Sequence, residues 1–267
     1  MSKLTGKVAV ITGGGSGVGK AVAEAFLAEG ASVVISGRDK AKLDAACVEL
    51  GSSPKLFAVA CDVADAKQCQ KLVAAATAKF GKVDILVNNA GSNLKQRAIR
   101  ELTPESWDAL IRANLDGAFY CIHAVLPQMT ERKDGVIINL VSVAGKRANP
   151  LGGAAYVASK FGMGGLGMCL SNEERESGIR VSNIYPGEID TPILAFRPKP
   201  VSDEARALIL KPEDVAAAIL FVTTLPPHVS IPELVMKPTA PPLRRDHAAS
   251  SRGISLLLWR RLLQGAP

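Results

Sequence analysis

The feature that most constrains this chain is a glycine-rich stretch, residues 12–20, directly behind an apolar, β-branched run, residues 8–11. The run predicts a strand and residues 21–27 predict a helix, so the glycines form a tight strand-to-helix turn. Glycine adopts positive φ without steric cost and lets a ligand approach the backbone. The N–H groups and dipole at the start of the helix favour an anion, most often a phosphate. The stretch therefore predicts a nucleotide site, although a tight turn requires glycine even without a ligand.

Two phosphate-binding templates compete for this loop. Gly14–Lys20 fits most of the P-loop, but the next residue is Ala21, where that motif needs a hydroxyl for Mg²⁺. The dinucleotide fingerprint G-x-G-x-x-G has no strict placement here. A looser spacing with a longer turn does fit, namely Gly13-x-x-x-Gly17-x-Gly19. The loop therefore favours a dinucleotide over ATP.

The composition suits a sheet packed by aliphatic side chains, with 48% apolar and 4% aromatic residues. At 267 residues the chain is one large α/β domain or two small ones. More than half of the net charge of +7 follows Lys237, so we expect no nucleic-acid surface on the rest. No apolar run reaches the roughly 18 residues of a membrane span, and residues 1–7 have no signal-peptide core. These features predict a cytoplasmic protein.

The five cysteines and three histidines indicate neither disulfides nor a metal. The cysteines are odd in number and lack C-x-x-C spacing, so we expect reduced thiols in the core. The histidines are far apart and follow no metal-ligand spacing.

Strand-like and helix-like segments alternate almost to the end of the chain. Strands are expected at residues 8–11, 32–36, 56–61, 84–88, 136–141 and 181–185, with a candidate seventh within 225–234. Asp39 and Asp65 are expected to cap helices, and Ala154–Glu176 is a longer helix. The helix that starts at Thr103 is expected to carry Trp107, Leu110, Ile111, Leu115 and Phe119 on its apolar side. The alternation predicts an α/β fold: a doubly wound parallel sheet of about seven strands, in an order near 3-2-1-4-5-6, with helices on both faces.

Distinctive polar and turn residues follow the predicted strands. Ligands of doubly wound sheets bind at the carboxyl ends of the strands. Random placement would scatter such residues to both ends of the sheet. The residues that follow strands are Gly13, Arg38, Asp62, Asn89, Ser142 and Pro186. Their common position strengthens the ligand interpretation of the glycine loop.

Tyr156 and Lys160 are four residues apart, early in a predicted helix. That spacing places the phenol and the ammonium on one face. A phenol with a pKa near 10 is a poor base at neutral pH, but a nearby cation lowers that pKa and makes proton exchange with a substrate oxygen feasible. Ser142, at the end of the fifth strand, could bind the same oxygen.

Together these residues resemble the compact form of the short-chain dehydrogenase/reductase family, over about residues 4–224. The matching residues are Thr12-Gly13-x-x-x-Gly17-x-Gly19, Asp62, Asn88-Asn89-Ala90-Gly91, Asn114, Ser142, Tyr156-x-x-x-Lys160 and Pro186-Gly187 with Thr191. Each motif is weak alone, and their joint occurrence in order is highly specific.

The resemblance implies a catalytic group of four residues. Tyr156 is the acid/base and Ser142 binds the reacting oxygen, so both contact the substrate. Lys160 lowers the pKa of Tyr156 and holds the nicotinamide ribose, and Asn114 holds a water in a proton relay. The implied cofactor-binding residues are Gly13, Gly15, Ser16, Gly17, Val18, Gly19, Arg38, Asp62, Val63, Asn89, Ala90, Gly91, Tyr156, Lys160, Pro186, Gly187, Ile189 and Thr191.

Simpler interpretations remain open for four of these residues. Asn114 could be a polar residue on a helix surface, and Ser142 could merely cap a strand end. Asp62 could cap the following helix, and Thr191 before a proline could be a helix start.

The end of the second strand selects the cofactor. NAD enzymes usually carry an acid here for the ribose 2′-hydroxyl, whereas a nearby arginine accommodates the 2′-phosphate of NADP. This chain has Gly37 followed by Arg38. We therefore expect NADP, with NAD the less favoured cofactor. The alternative is that Arg38 pairs with Asp39 or Asp62 as ordinary surface charge.

The pocket wall is expected from residues 92–101, 144–155 and 194–207, whose mixed composition suits apolar and anionic substrates alike. Residues 225–234 resemble the ending of family members that act on 3-hydroxy acids. We expect a catalytic domain over residues 1–238 and a basic extension over 239–267. Residues 238–251 look like a linker, and 254–263 an interfacial helix, a subunit arm or a disordered tail.

Gly162, Gly164, Gly165 and Gly167 allow close helix approach, to the sheet or to a partner. Because helices of this kind commonly pair in the family, we expect a homodimer or homotetramer. The leading function is hydride transfer between nicotinamide and a small carbonyl or alcohol substrate. The alternatives are a catalytically silent dinucleotide sensor and, disfavoured by Ala21, a P-loop phosphotransferase.

Overall fold

The computed structural model describes residues 2–239. Its core is a seven-stranded sheet, parallel throughout, in the order β3-β2-β1-β4-β5-β6-β7. The strands are β1 Val8–Thr12, β2 Ser32–Gly37, β3 Leu56–Ala60, β4 Ile85–Asn88, β5 Gly135–Leu140, β6 Ile179–Pro186 and β7 Glu233–Met236. The doubly wound fold predicted from the alternation of segments is confirmed.

Helices cover both faces of this sheet. They are α1 Gly17–Ala28, α2 Lys40–Glu49, α3 Ala66–Phe80, α4 Pro104–Ile111, α5 Gly117–Arg132, α6 Ala154–Glu173, α7 Asp203–Ala207 and α8 Pro212–Thr223. Successive strand residues point to opposite faces, so Ile11 packs in the core with Phe26 of α1, while Val10 packs in the other core with Leu72 of α3. Each half of the core therefore needs its own layer of helices.

The predicted caps form as expected. The Asp39 carboxylate accepts a hydrogen bond from the amide of Lys42, and Asp65 accepts from the amides of residues 67 and 68. Gly81 ends α3 with a φ of 86°, which glycine adopts without strain. The predicted end of α6 at residue 176 is wrong, since that helix ends at Glu173.

The single helix expected after Thr103 is interrupted. A π-helical turn, Arg112–Asp116, separates α4 from α5. A π turn carries an extra residue and so rotates the faces of the two flanking helices relative to each other. The predicted apolar side is wrong in part: Leu110 is buried, but Trp107 in the same helix is 37% exposed, and Phe119, whose face is rotated by the π turn, is 45% exposed.

The five cysteines are free. Three of them, Cys61, Cys69 and Cys121, lie in the core as predicted, and Cys47 is half-buried. The prediction is wrong for Cys169, which is exposed on the outer face of α6.

Two further expectations concern absences. Within residues 2–239 no helix is long and apolar enough to cross a membrane, and no cluster of three metal-ligating side chains occurs. Nearly all of the predicted extension, including the helix-like segment 254–263, lies outside the described residues.

Candidate functional site

The glycine loop is held down on the end of β4. The Asn89 side-chain amide donates to the carbonyls of Thr12 and Gly13, at 2.8 and 3.1 Å. A Cβ on Gly19 would lie 2.4 Å from the Gly13 carbonyl oxygen, and Gly13 and Gly17 have φ values of 66° and 52°. Glycine is therefore required at these positions by close packing or by backbone conformation.

Thr12, which the motif pattern contains without assigning it a role, holds two strand ends together through its hydroxyl. Its hydroxyl accepts hydrogen bonds from the amides of Asn89 and Ala90, both at 3.0 Å, and donates to the carbonyl of Val87. The side chain thereby joins the ends of β1 and β4, two neighbouring strands. Its position right after the apolar run was the available signal.

The first turn of α1 suits an anion. Ser16 stands at the N-cap but makes no side-chain capping bond, and the turn contains no acidic residue. In α2 and α3, by contrast, Asp39 and Asp65 already occupy the first amides. The start of α1 therefore keeps amide donors and a positive dipole end for a ligand such as a pyrophosphate. Gly15 lies in this loop, and Val18 is buried beneath it.

Arg38 follows β2 at the same edge of the sheet and is exposed. Within residues 2–239, its guanidinium forms no ion pair, so the alternative pairing with Asp39 or Asp62 does not occur. Asp39 lies near Lys42 instead, at 3.8 Å. The Asp62 carboxylate accepts from the amide of Ala64, and so caps a turn rather than the helix, which Asp65 caps. The basic side chain is left available beside the loop.

The glycine loop, Arg38 and the other segments that follow the strands lie at one edge of the sheet, which is called the cleft below. Val63 and the segment after β6 lie at its rim. Val63 packs on Gly117 of α5, where a Cβ would lie 2.7 Å from it. Thr191 lies against Gly17, since a Cβ there would come within 3.3 Å of the threonine methyl. The amide of Gly187 donates to the Met236 carbonyl at 2.8 Å. Pro186 is buried, and Ile189 forms a bridge with Leu210.

Tyr156 lies in the first turn of α6, half-buried. Desolvation raises the pKa of its phenol, while a hydrogen bond with Ser142 and the charges of Arg197 and Arg97 oppose that rise. The Ser142 hydroxyl also accepts from the Ala144 amide at 3.1 Å, which fixes its direction. The phenol is therefore the protonated form at neutral pH and has a hydroxyl partner beside it.

Lys160 is buried, and its ammonium donates to the Leu140 carbonyl at 2.7 Å. Its Nζ lies 5.9 Å from the centre of the Tyr156 ring, and desolvation lowers its pKa to about 8. The spacing predicted that Lys160 lowers the pKa of Tyr156. In the structure the groups that oppose the rise in the Tyr156 pKa are Ser142, Arg197 and Arg97. The Lys160 ammonium donates to the carbonyl at the end of β5, and its effect on Tyr156 stays a prediction.

Asn114 lies in the π turn and is fully buried, so the interpretation as a helix-surface residue is wrong. Its Oδ1 accepts from the Ser92 amide at 2.8 Å, and its amide protons go to the Ser92 carbonyl and the Ser159 hydroxyl. Ser159 in turn donates to the Tyr156 carbonyl at 2.8 Å. The motifs assign neither serine a role, since Ser159 is a variable position of Tyr156-x-x-x-Lys160 and Ser92 follows the motif that ends at Gly91.

A small space lies between Asn114 and Lys160, at Gly91. A Cβ on Gly91 would lie 3.4 Å from Asn114 Oδ1 and 3.8 Å from Lys160 Nζ. The absence of that atom leaves room beside the ammonium for part of a ligand or for a water.

The segments expected to form the pocket wall do line one cavity, of about 870 Å³. Residues 95–99, 148–150 and Pro198 contribute to it, together with the start of α6. Arg97 lies within the predicted wall segment 92–101. It is buried, and its charge acts on Tyr156.

Comparisons with known proteins agree with this geometry. An uncharacterized oxidoreductase of Staphylococcus aureus strain MW2 is 36% identical over 239 residues, which span 89% of this chain and all of that protein. A metagenomic short-chain oxidoreductase in complex with NADP superposes with a TM-score of 0.78 at 33% identity, over 90% of this chain and all of the other. A 3-ketoacyl-(acyl-carrier-protein) reductase from Brucella melitensis, complexed with NADH, has a TM-score of 0.80 at 33% identity, over 87% and 97% of the two chains.

The pattern of the short chain dehydrogenase family matches residues 7–201, which include the glycine loop, Ser142, Tyr156 and Lys160. With the fold and these relatives, this match identifies the chain as a member of the short-chain dehydrogenase/reductase family, an oxidoreductase that uses NAD(P).

Proposed function

We propose that this protein is an NADP-dependent oxidoreductase that interconverts a carbonyl group and a secondary alcohol. The observation that carries the proposal is the phenol of Tyr156 beside the Ser142 hydroxyl, at the same edge of the sheet as an uncapped glycine loop. A proton donor and a site for the phosphates of the dinucleotide, at one edge of the sheet, are what this reaction requires.

In the reduction direction, Tyr156 donates its phenolic proton to the carbonyl oxygen, and Ser142 holds that oxygen with its hydroxyl. When bound, the dinucleotide supplies the hydride. Lys160 would hold the nicotinamide ribose, with its ammonium oriented by the Leu140 carbonyl. Asn114 fixes the loop after β4 against α6, and the space at Gly91 is where a relay water would bind. In the oxidation direction, Tyr156 accepts the proton from the alcohol.

The cofactor-binding residues divide by the part of the dinucleotide that they would hold. Gly13, Gly15, Ser16, Gly17, Val18 and Gly19 would surround the pyrophosphate, and Asp62 with Val63 the adenine. Asn89, Ala90 and Gly91 would border the ribose, while Pro186, Gly187, Ile189 and Thr191 would border the nicotinamide.

Arg38 supports NADP over NAD. Its exposed guanidinium has no ion-pair partner within residues 2–239, and Gly37 leaves no carboxylate to repel a 2′-phosphate. The metagenomic short-chain oxidoreductase that resembles this chain is complexed with NADP. The Brucella enzyme with NADH represents the alternative, and kcat/KM with each cofactor distinguishes the two.

The same chain is proposed to work as a homodimer or homotetramer. Gly162, Gly164 and Gly167 would clash with Leu115, Tyr185 and Asn183 if they carried a Cβ, so they serve packing within the subunit. Gly165 meets nothing within 4 Å and lies between exposed Phe161 and Cys169. This face, with Phe119 of α5, would bury apolar surface against a second copy.

We place the catalytic domain at residues 1–238. The free cysteines fit a reducing, cytoplasmic compartment. The substrate is proposed to be a small molecule, with a 3-oxo or 3-hydroxy acid as the leading class.

The test is turnover by the purified protein. NADPH consumption against a panel of aldehydes, ketones and 3-oxo acids, and NADP⁺ reduction with the corresponding alcohols, should reveal activity in both directions. Repeating the active pair with NADH should give a lower kcat/KM. Tight NADPH binding without turnover on any member of the panel would instead favour the catalytically silent dinucleotide sensor.

A further inference from the structure

Arg97 is a buried cation without a counter-charge. Its side chain is 6% exposed, and it precedes the short helical turn Ile99–Glu101. Its Nη1 donates to the Leu151 carbonyl at 2.7 Å and its Nη2 to the Phe196 carbonyl. Its Nε is buried and has no acceptor within residues 2–239. No carboxylate is among the groups that act on its charge.

This arrangement is costly in the free protein. An arginine side chain cannot lose its proton at any ordinary pH, so the charge persists where water is excluded. Peptide carbonyls satisfy two of its donor groups but supply no negative charge, and a buried unpaired charge is strongly unfavourable. The neighbouring Arg197 differs, because it pairs with Glu188 at 3.0 Å. Only Arg97 of these two lacks an anion.

The position of Arg97 connects it to the reaction centre. The charge of Arg97 acts on Tyr156, and Arg97 is one of the residues that line the 870 Å³ cavity beside α6. The ionisable groups lining that cavity are Lys95, Arg97 and Glu101, and the Glu101 carboxylate accepts from the Ala98 amide. An anion near Arg97 would therefore lie within reach of a carbonyl at Tyr156.

We infer that Arg97 is the carboxylate-binding residue for the substrate, so that the enzyme acts on an oxo or hydroxy acid with its carboxylate held at the Nε–Nη2 edge of this guanidinium. This inference rests on the proposed function. A carboxylate fits that edge with two oxygens and binds arginine more strongly than a peptide carbonyl does. It would accept a hydrogen bond from Nε–H, which has no other acceptor within residues 2–239, and would share or replace the Phe196 carbonyl, which belongs to the exposed turn Pro192–Phe196.

The test compares acids with neutral analogues of the same shape. 3-Oxo acids of four to eight carbons and their methyl esters are assayed with NADPH and the full chain. Wild type should prefer the acid by about tenfold or more in kcat/KM, as expected for a charge-assisted contact. Arg97→Gln should lower kcat/KM for the acid by about 10- to 100-fold, mainly through KM, and change the ester by less than about threefold.

Two further variants separate binding from a structural role. Arg97→Lys keeps the positive charge but loses the planar guanidinium that can donate two parallel hydrogen bonds. It should therefore retain part of the preference for the acid that Arg97→Gln loses. Arg100→Gln is the matched control, because Arg100 is exposed on the short turn that follows Arg97, and it should leave the acid-to-ester ratio unchanged. Equal losses on acid and ester in Arg97→Gln would overturn the inference, since they would indicate a loop clamp or an effect through Tyr156.

The outcome is also readable if the variant fails to fold or the proposed function is wrong. A wild-type enzyme that reduces esters as well as acids refutes the carboxylate site and leaves the oxidoreductase function intact. If nothing turns over, the proposed function fails, and calorimetric titration of the NADP⁺-loaded protein with butyrate and butyramide decides the site separately. Binding of butyrate alone supports it, and equal binding or none overturns it.

Discussion

The proposed cofactor half and the proposed substrate half of the cleft are built in different ways. The cofactor half, at the ends of β1, β2 and β4, is mostly backbone: glycines at fixed places, free amides on α1 and two side chains, Thr12 and Asn89, that tie strands together. The substrate half depends on side chains that converge from distant segments, such as Arg97 on the carbonyls of residues 151 and 196. On the proposed function, the first half would recognise a constant ligand by shape, and the second would leave room for variation in substrate.

The largest effect short of removing the acid is expected for Lys160→Met. The change removes the buried ammonium that would hold the nicotinamide ribose, so kcat should fall by about 10²-fold or more. The glycine loop is untouched, and binding of the adenine end should persist. Steady-state kinetics with a fluorescence titration of NADPH would measure both. Activity near the wild-type value would remove Lys160 from the catalytic group.

Gly19→Ala should damage the cofactor half specifically. The new Cβ would lie 2.4 Å from the Gly13 carbonyl oxygen and 2.5 Å from the Asn89 amide. We expect a loss of about 1–3 kcal/mol in the free energy of unfolding and weaker NADPH binding. The matched control is Gly165→Ala, whose Cβ meets nothing within 4 Å and should leave NADPH affinity unchanged. Equal behaviour of the two variants in denaturant melts and cofactor titrations would contradict this account of the loop.

Arg38→Asp should change which cofactor is preferred without stopping the reaction. The carboxylate would repel a 2′-phosphate and could bind a 2′-hydroxyl, so the NADPH-to-NADH ratio of kcat/KM should fall by about tenfold or more. Salt should weaken the wild-type preference, because the guanidinium is exposed. A wild-type preference for NADH would refute the assignment of Arg38.

The sequence predicts the backbone-built half of the site better than the half built from converging side chains. Residues 12–20, Tyr156 and Lys160 belong to short motifs whose chemistry is local, and the strand order follows from the alternation of segments. The bonds of Asn114 to Ser92 and Ser159 join residues 22 and 45 positions apart, and no periodicity encodes them. The π turn was missed for another reason: one extra residue changes a helix face without changing its composition. Arg97 looked like any basic loop residue until its burial was known.

The smallest effect concerns stability and pH. Lys160 has a pKa of about 8 when folded, below the value of about 10.4 for an exposed lysine. Between these values the unfolded chain binds more protons, so the free energy of unfolding should rise as pH increases from about 8 to about 10. In the cofactor-free protein, this rise in the free energy of unfolding should be smaller for Lys160→Met than for wild type. The free energy of unfolding should be measured by urea unfolding at several pH values for both proteins. If it changes equally with pH in wild type and in Lys160→Met, Lys160 is not desolvated.

The most direct test of the central claim, that one half binds the dinucleotide while Tyr156 supplies the proton, is Tyr156→Phe. NADPH affinity and turnover should be measured on the same preparation, with wild type beside it. We expect the dissociation constant of NADPH to stay within about twofold, while carbonyl reduction falls by about 10³-fold, as for loss of a general acid. Turnover within a factor of about ten of wild type would contradict the account.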